Sequence, residues 1–241
     1  MILDNKRKVI FLHNPKCGGT FLKEEYQRAG YGDTTLFFTT WSKLYNTDPW
    51  HITYSLIPRF VPDWEEYRIY TMIRNPYNRF YSALKEARKE LRRDRILRSS
   101  YLMRGRYAGM NRINKYLLII KEYLFSDCGY GNEKFVQEVL NSNDLSKSLE
   151  LLLSKDYFTQ DLILRNPCIP WFMPQSYFAG MNVKQFHFES YSDWEEVADL
   201  LELPTLLDNL KLPDDYDIND SARSFLRSLY FEDKWLFDLY K

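Results

Sequence analysis

Apolar residues gather in short unbroken runs in the first third of the chain. Lys8–Leu12 (KVIFL), Thr34–Thr39 (TTLFFT) and Arg68–Ile73 (RIYTMI) are rich in β-branched and aromatic side chains, which predicts strands. Phe21–Ala29 follows the first run with helical spacing. After the third run, Asn75-Pro76 supplies an N-cap and a proline for the first helical position of a long polar-faced stretch. Strand and helix thus alternate, and such alternation predicts a parallel sheet with helices on its faces.

Farther on, the pattern predicts helices over Ile113–Phe125, Glu133–Asn141 and Leu145–Lys155. Arg165–Gln175 carries Pro167, Pro170 and Pro174 and reads as a loop. Val183–Phe188 (VKQFHF) returns to strand character. Ser192 or Asp193 is placed to cap a helix over Trp194–Leu201, and Arg223–Tyr240 reads as one amphipathic helix. With no repeat and no evident linker, residues 1–241 are expected to form a single domain of the α/β class.

Composition narrows the function classes. The 241 residues are 45% apolar and 17% aromatic, incompatible with a disordered polar chain. Lysine plus arginine and aspartate plus glutamate both number 33, so a globally basic nucleic-acid binder is not expected. The zero sum hides a polar distribution. Lys85–Arg106 holds nine basic and three acidic residues, whereas Glu189–Lys241 holds fourteen acidic and five basic. The basic run could draw an anionic acceptor or be a solvated helix face. Three cysteines without CxxC or Cys/His spacing suggest neither a disulfide framework nor a zinc site. The charged N-terminus does not read as a signal peptide, and no run approaches the roughly 20 apolar residues of a membrane helix. A cytoplasmic protein is expected, without a transmembrane segment; its oligomeric state is not legible.

Candidate chemistry concentrates at two turns. Val9–Leu22 reads VIFLHNPKCGGTFL, a strand entering a glycine-containing turn with one lysine, then a helix with Thr20 in its first turn. Free N–H groups at a helix start and the helix dipole favour an anion there, and Lys16 adds a full charge. The loop is not a Walker A motif, in which the lysine follows the second glycine. Here Lys16 precedes Gly18 and Gly19, and the shorter loop suits a smaller phosphate array; a plain tight turn is the alternative. Arg68–Ala83 reads RIYTMIRNPYNRFYSA. Arg74 stands at a strand end, Arg79 and Ser82 in the helix that follows, and together they can grip a second phosphate. Two anion sites at strand ends of one α/β unit suit a nucleotide with phosphates at both ends.

PKCGGT followed by RNPYNRFYSA resembles the PAPS-dependent sulfotransferases, most closely their carbohydrate-type branch (PAPS is 3′-phosphoadenosine 5′-phosphosulfate). The resemblance implies a P-loop-NTPase-like three-layer fold with a central parallel sheet and additional helices. It implies transfer of a sulfuryl group from PAPS to a hydroxyl acceptor, a small molecule or glycan, with release of PAP and no metal. The 5′-phosphosulfate loop maps onto Pro15–Leu22, giving Lys16, Cys17, Gly18, Gly19, Thr20 and Phe21 as nucleotide contacts. The 3′-phosphate motif maps onto Arg74, Pro76, Arg79 and Ser82. Pro174-Gln175, Phe188-Glu189 and Tyr230–Leu236 also look similar to family segments. An ATP-dependent small-molecule kinase on the same fold, and a non-catalytic nucleotide-binding protein, are the alternatives.

In that family a histidine in the context of His51 takes the acceptor proton, so Lys16 and His51 are the expected catalytic pair. His13, beside the cradle, competes with His51, and Glu24 and Glu25 are the reserve carboxylates. His187 sits in an aromatic strand and reads as core. Cys17, at a helix N-terminus where thiol pKa tends to fall, is either redox-sensitive or a spacer. Trp171, Phe172 and Tyr177 could stack on rings of the nucleotide or acceptor, or serve the core.

Overall fold

A computed structural model describes residues 1–31, 51–93, 147, 170–180, 182–212 and 219–239. The expected strand over 34–39 and the helices over 113–125 and 133–141 lie outside the described residues, as does all but residue 147 of the helix over 145–155.

Among the described residues four strands form one sheet: β1 (Ile2–Asp4), β2 (Val9–Leu12), β3 (Arg68–Ile73) and β4 (Val183–His187), ordered β1-β2-β3-β4. β2 pairs parallel with β3 from Val9↔Arg68, and β3 parallel with β4 from Ile69↔Val183. The expected parallel sheet is corrected at one edge, where β1 runs antiparallel to β2. Only a tight turn separates β1 from β2, and a tight turn can join antiparallel strands but not parallel ones. Asp4 stabilises that turn by accepting from the Arg7 backbone N–H (2.9 Å) and guanidinium (2.6 Å), and from the Tyr26 hydroxyl (3.0 Å).

Every residue of β2 is buried because both faces of the sheet are covered. Val9 and Phe11 point to one face with Tyr70, Met72 and Phe186, against α1 (Gly19–Arg28) and the later helix over Tyr191–Leu201. Ile10 and Leu12 point to the other, with Ile69 and Val183, against Ile52, Ile57, Phe60 and Val61. The period of two in β2 is therefore hidden in the sequence by burial on both sides.

The segment 54–60 is a 3₁₀ turn followed by α2 (Ile57–Phe60), the short helix expected after His51. α3 (Pro76–Arg93) begins as its sequence suggests: Asn75 Oδ1 accepts from the Tyr77 N–H at 3.0 Å, with Pro76 in the first helical position. α4 (Tyr191–Leu201) starts earlier than expected. Its cap is Ser190, not Ser192 or Asp193, and Asp193 N–H donates to the Ser190 hydroxyl.

The C-terminal stretch is not one helix. α5 (Asp220–Leu229) ends before Tyr230, a 3₁₀ turn spans Phe231–Asp233, and α6 (Lys234–Leu239) follows. The break turns the Asp233 carboxylate inward, where it accepts from two successive backbone N–H groups, Gln175 at 2.7 Å and Ser176 at 2.8 Å. No described helix is long and apolar enough to cross a membrane.

Candidate functional site

The C-terminal ends of β2 and β3 lie side by side, and both carry the residues of interest. The β2 end runs through His13–Cys17 into α1. Lys16 adopts φ 64° and Gly18 φ 81°, so the chain makes two left-handed steps before the helix begins. At Gly18 a side chain is excluded twice over: φ is positive, and a Cβ would stand 2.8 Å from Phe188 and 2.9 Å from Trp194. Among the described residues no side chain caps α1, which leaves the N–H groups of Gly19, Thr20 and Phe21 for other acceptors. Thr20 is exposed, Phe21 packs edge-on against Trp194, and Cys17 is buried.

Cys17 departs from the expectation for a helix N-terminus. Burial pushes its thiol up to about 12, overriding Arg79 and Arg74 nearby, and its Sγ donates to Gln175 Oε1 at 3.3 Å. It is an inward-facing packing residue in its thiol form, not a redox-reactive thiolate.

Arg74 closes β3 and reaches across to the turn. Its Nη1 donates to the Lys16 carbonyl at 3.1 Å, its guanidinium covers the Phe188 ring at 4.6 Å, and Glu189 stands 3.8 Å from Nε. From α3, Arg79 Nε donates to the Pro15 carbonyl at 2.9 Å. Both arginines are buried, and Arg74 Nε and Arg79 Nη2 have no hydrogen-bond partner among the described residues. Arg79, Ser82 and Glu86 recur at helical spacing on one face of α3, and Glu86 meets Lys16 Nζ at 3.2 Å. Ser82 is thus a half-buried hydroxyl on the face turned to the cradle.

Gln175 joins the two strand ends. Its side-chain carbonyl accepts from Arg74 N–H (3.0 Å), Asn14 Nδ2 (3.1 Å) and Cys17 Sγ, and its Nε2 donates to the Arg74 carbonyl at 2.8 Å. The residue is fully buried, so each of these groups lacks water as a substitute. Gln175→Ala is expected to cost roughly 3–5 kcal/mol, since several donors lose their acceptor at about 1–3 kcal/mol each. Urea denaturation measures this; a loss under about 1 kcal/mol would show that water can stand in for the amide.

The histidines meet beside the start of α1. The rings of His13 and His51 lie 4.5 Å apart, and His51 Nδ1 is 3.0 Å from the His13 carbonyl oxygen. A carbonyl only accepts, so Nδ1 carries the hydrogen, and the neutral ring holds its lone pair on Nε2. His13 keeps part of its surface exposed, yet its ring fills the space a Cβ on Gly19 would need, 2.0 Å from Cδ2. Burial first, then the neighbouring His51, the chain's N-terminus, Lys16 and Lys23, hold its pKa well below the imidazole range. His13 is accordingly a neutral support for His51 and for the helix start.

The other candidates fall elsewhere. Glu25 is buried on α1, accepting from Arg28 and from the Thr205 hydroxyl at 3.3 Å, away from the histidines. Glu24 is exposed. His187 is not a core residue; it is partly exposed and pairs with Asp193 at 3.1 Å. Trp171 and Phe172 are buried, Phe172 against Phe80, whereas Tyr177 is 41% exposed. Among the described residues no three His, Cys, Asp or Glu side chains gather to hold a metal ion. The sequence left Asn14, Glu86 and Asp233 without a role. Glu86 was recoverable, since it lies four residues beyond Ser82 on the same helical face.

The chain matches no family model, no curated protein and no solved structure.

Proposed function

We propose that this protein transfers a sulfuryl group from PAPS to a hydroxyl, with carbohydrate as the acceptor class, and releases PAP. One observation carries the reading: the 3.1 Å bond from Arg74 to the Lys16 carbonyl brings two anion-binding motifs, 58 residues apart, to neighbouring strand ends. A nucleotide with phosphates at both ends suits such a pair. The residues present fit that ligand. Arg79 Nη2 is a buried donor with no hydrogen-bond partner among the described residues, Arg74 Nε makes no hydrogen bond and faces only the Glu189 carboxylate at 3.8 Å, and phosphate oxygens are acceptors that arginine favours. The N–H groups at the start of α1 are the complementary site for the 5′ end. The parallel β2-β3-β4 core is consistent with the P-loop-NTPase-like three-layer arrangement that belongs to the same proposal.

PAPS supplies a sulfuryl group carried on a phosphate leaving group. Lys16 Nζ and the first N–H groups of α1 stabilise negative charge on the leaving oxygen. His51 Nε2 takes the proton of the acceptor hydroxyl, while the His13 carbonyl fixes the ring through Nδ1. Arg74 and Ser82 hold the 3′-phosphate, and Arg79 braces the turn through Pro15.

Calorimetric titration with PAP, ATP and ATP–Mg²⁺ tests the reading. Metal-independent PAP binding, tighter than ATP binding, is expected; preference for ATP–Mg²⁺ would replace it with the kinase alternative. Ser82→Ala and Arg74→Ala should weaken PAP binding roughly tenfold to hundredfold, the worth of one charge-assisted bond. Adenosine 5′-phosphosulfate, lacking the 3′-phosphate, should lose far less. Equal losses for both ligands would remove these two residues from the 3′ site.

A further inference from the structure

The proposed cradle is not an unopposed positive site. Lys16, its one full charge on the turn, is held at 3.2 Å by Glu86, and the two side chains are only 21% and 30% exposed. The left-handed backbone at Lys16 sets this up, turning the carbonyl to Arg74 while the side chain reaches α3. Glu86 stands one helical turn beyond Ser82, on the face that also carries Arg79. The ammonium is therefore held between the two anion motifs by a carboxylate from the second.

We infer that Glu86 sets nucleotide affinity: its carboxylate holds the Lys16 ammonium in competition with a ligand phosphate, and anion binding exchanges one oxygen partner for the other. The inference rests on the reading of the Lys16 turn as an anion site. Two anionic partners on one compact ammonium repel each other, so the arriving phosphate competes with the carboxylate for it. A partly buried pair is screened less than a surface pair, so the exchange draws measurably on binding energy. The carboxylate also gives the turn selectivity, because a ligand with a single negative charge gains little by displacing an equal charge. A phosphate dianion or a phosphosulfate gains more.

The test is calorimetric titration of PAP and of inorganic pyrophosphate into wild type, Glu86→Gln, Glu86→Ala and Glu65→Gln. Glu65 is exposed and precedes β3, at the N-terminal end of the strands and so opposite the site, and its variant controls for the change in net charge. PAP should bind about fivefold tighter to both Glu86 variants, the equivalent of a pair worth about 1 kcal/mol, and within about twofold of wild type to Glu65→Gln. A gain in affinity cannot come from misfolding. Unchanged or weaker binding by the Glu86 variants, or an equal gain in Glu65→Gln, overturns the inference and leaves the sulfotransferase reading intact. If PAP fails to bind but pyrophosphate binds tighter to the Glu86 variants, the bisphosphate-nucleotide reading falls and the role of Glu86 stands. If neither probe binds any of the proteins, the inference is wrong.

Discussion

Lys16→Ala is expected to remove most turnover, lowering kcat by about 10²–10³ at saturating nucleotide. The bond to the leaving oxygen gathers charge only as it breaks, so a cation placed there acts chiefly on the transition state. Losing one such donor costs about 3–4 kcal/mol. The fold should hardly notice. Lys16 loses an ion pair to Glu86 that is partly solvated, worth about 1 kcal/mol or less. Its backbone role, the carbonyl that accepts from Arg74 Nη1, survives the substitution. Alanine keeps the strain of φ 64°, whereas Lys16→Gly relieves it. The two variants should therefore lose activity alike, with the glycine variant at least as stable as the alanine one. Initial rates beside thermal unfolding measure both effects. Near-normal turnover in Lys16→Ala would move the charge stabilisation elsewhere, and a large fall in stability would mean the side chain is structural.

Strands buried on both faces announce themselves as continuous apolar runs, so β2 and β3 were legible within a residue or two; β4, with Lys184 exposed and Gln185 and His187 half-buried, was legible from Val183 and the aromatic residues around Phe186. β1 was not, because three residues are too few to show a period, and its pairing depends on the Asp4–Arg7 turn. Asn75-Pro76 marked the start of α3 because the cap is a local interaction. The cap of α4 could have been read the same way, since Ser190 and Asp193 keep the spacing of a capping box.

The C-terminal break was hidden for a different reason. The amphipathic pattern runs on through Tyr230, and what interrupts it is a remote demand, the two N–H groups of Gln175 and Ser176 that Asp233 satisfies. The site divides along the same line. Lys16, Gly18 and Gly19 belong to one local turn and can be found by spacing. Arg74 could be named from its strand end, but its partners Lys16, Gln175 and Glu189 are set by the register of β2, β3 and β4. That register is a tertiary fact. Cys17 shows the limit of a local rule, since helix-start position predicts a lowered pKa and burial reverses it.

His51→Ala is expected to lower kcat by about 10²–10⁴ while leaving PAP affinity within about twofold of wild type. The motivation is the 3.0 Å contact from His51 Nδ1 to the His13 carbonyl, which assigns the hydrogen to Nδ1 and the lone pair to Nε2. A hydroxyl at the acceptor position needs an acceptor for its proton, and Nε2 of an imidazole near the start of α1 offers a lone pair for it. Acid removes that function. Once Nε2 carries a proton it can no longer act as the base, so the rate should fall in acid while the Nδ1 bond remains. His13 should behave differently, because burial and neighbouring positive groups already keep it neutral across this range. His13→Ala should keep the acid limb of the pH profile and lose rate through looser placement of His51 and of the Gly19 turn, against which its ring packs. Rate-against-pH profiles of the two variants at saturating nucleotide separate the roles. An unchanged acid limb in His51→Ala would exclude His51 as the base. Loss of the limb in His13→Ala alone would transfer the role to His13.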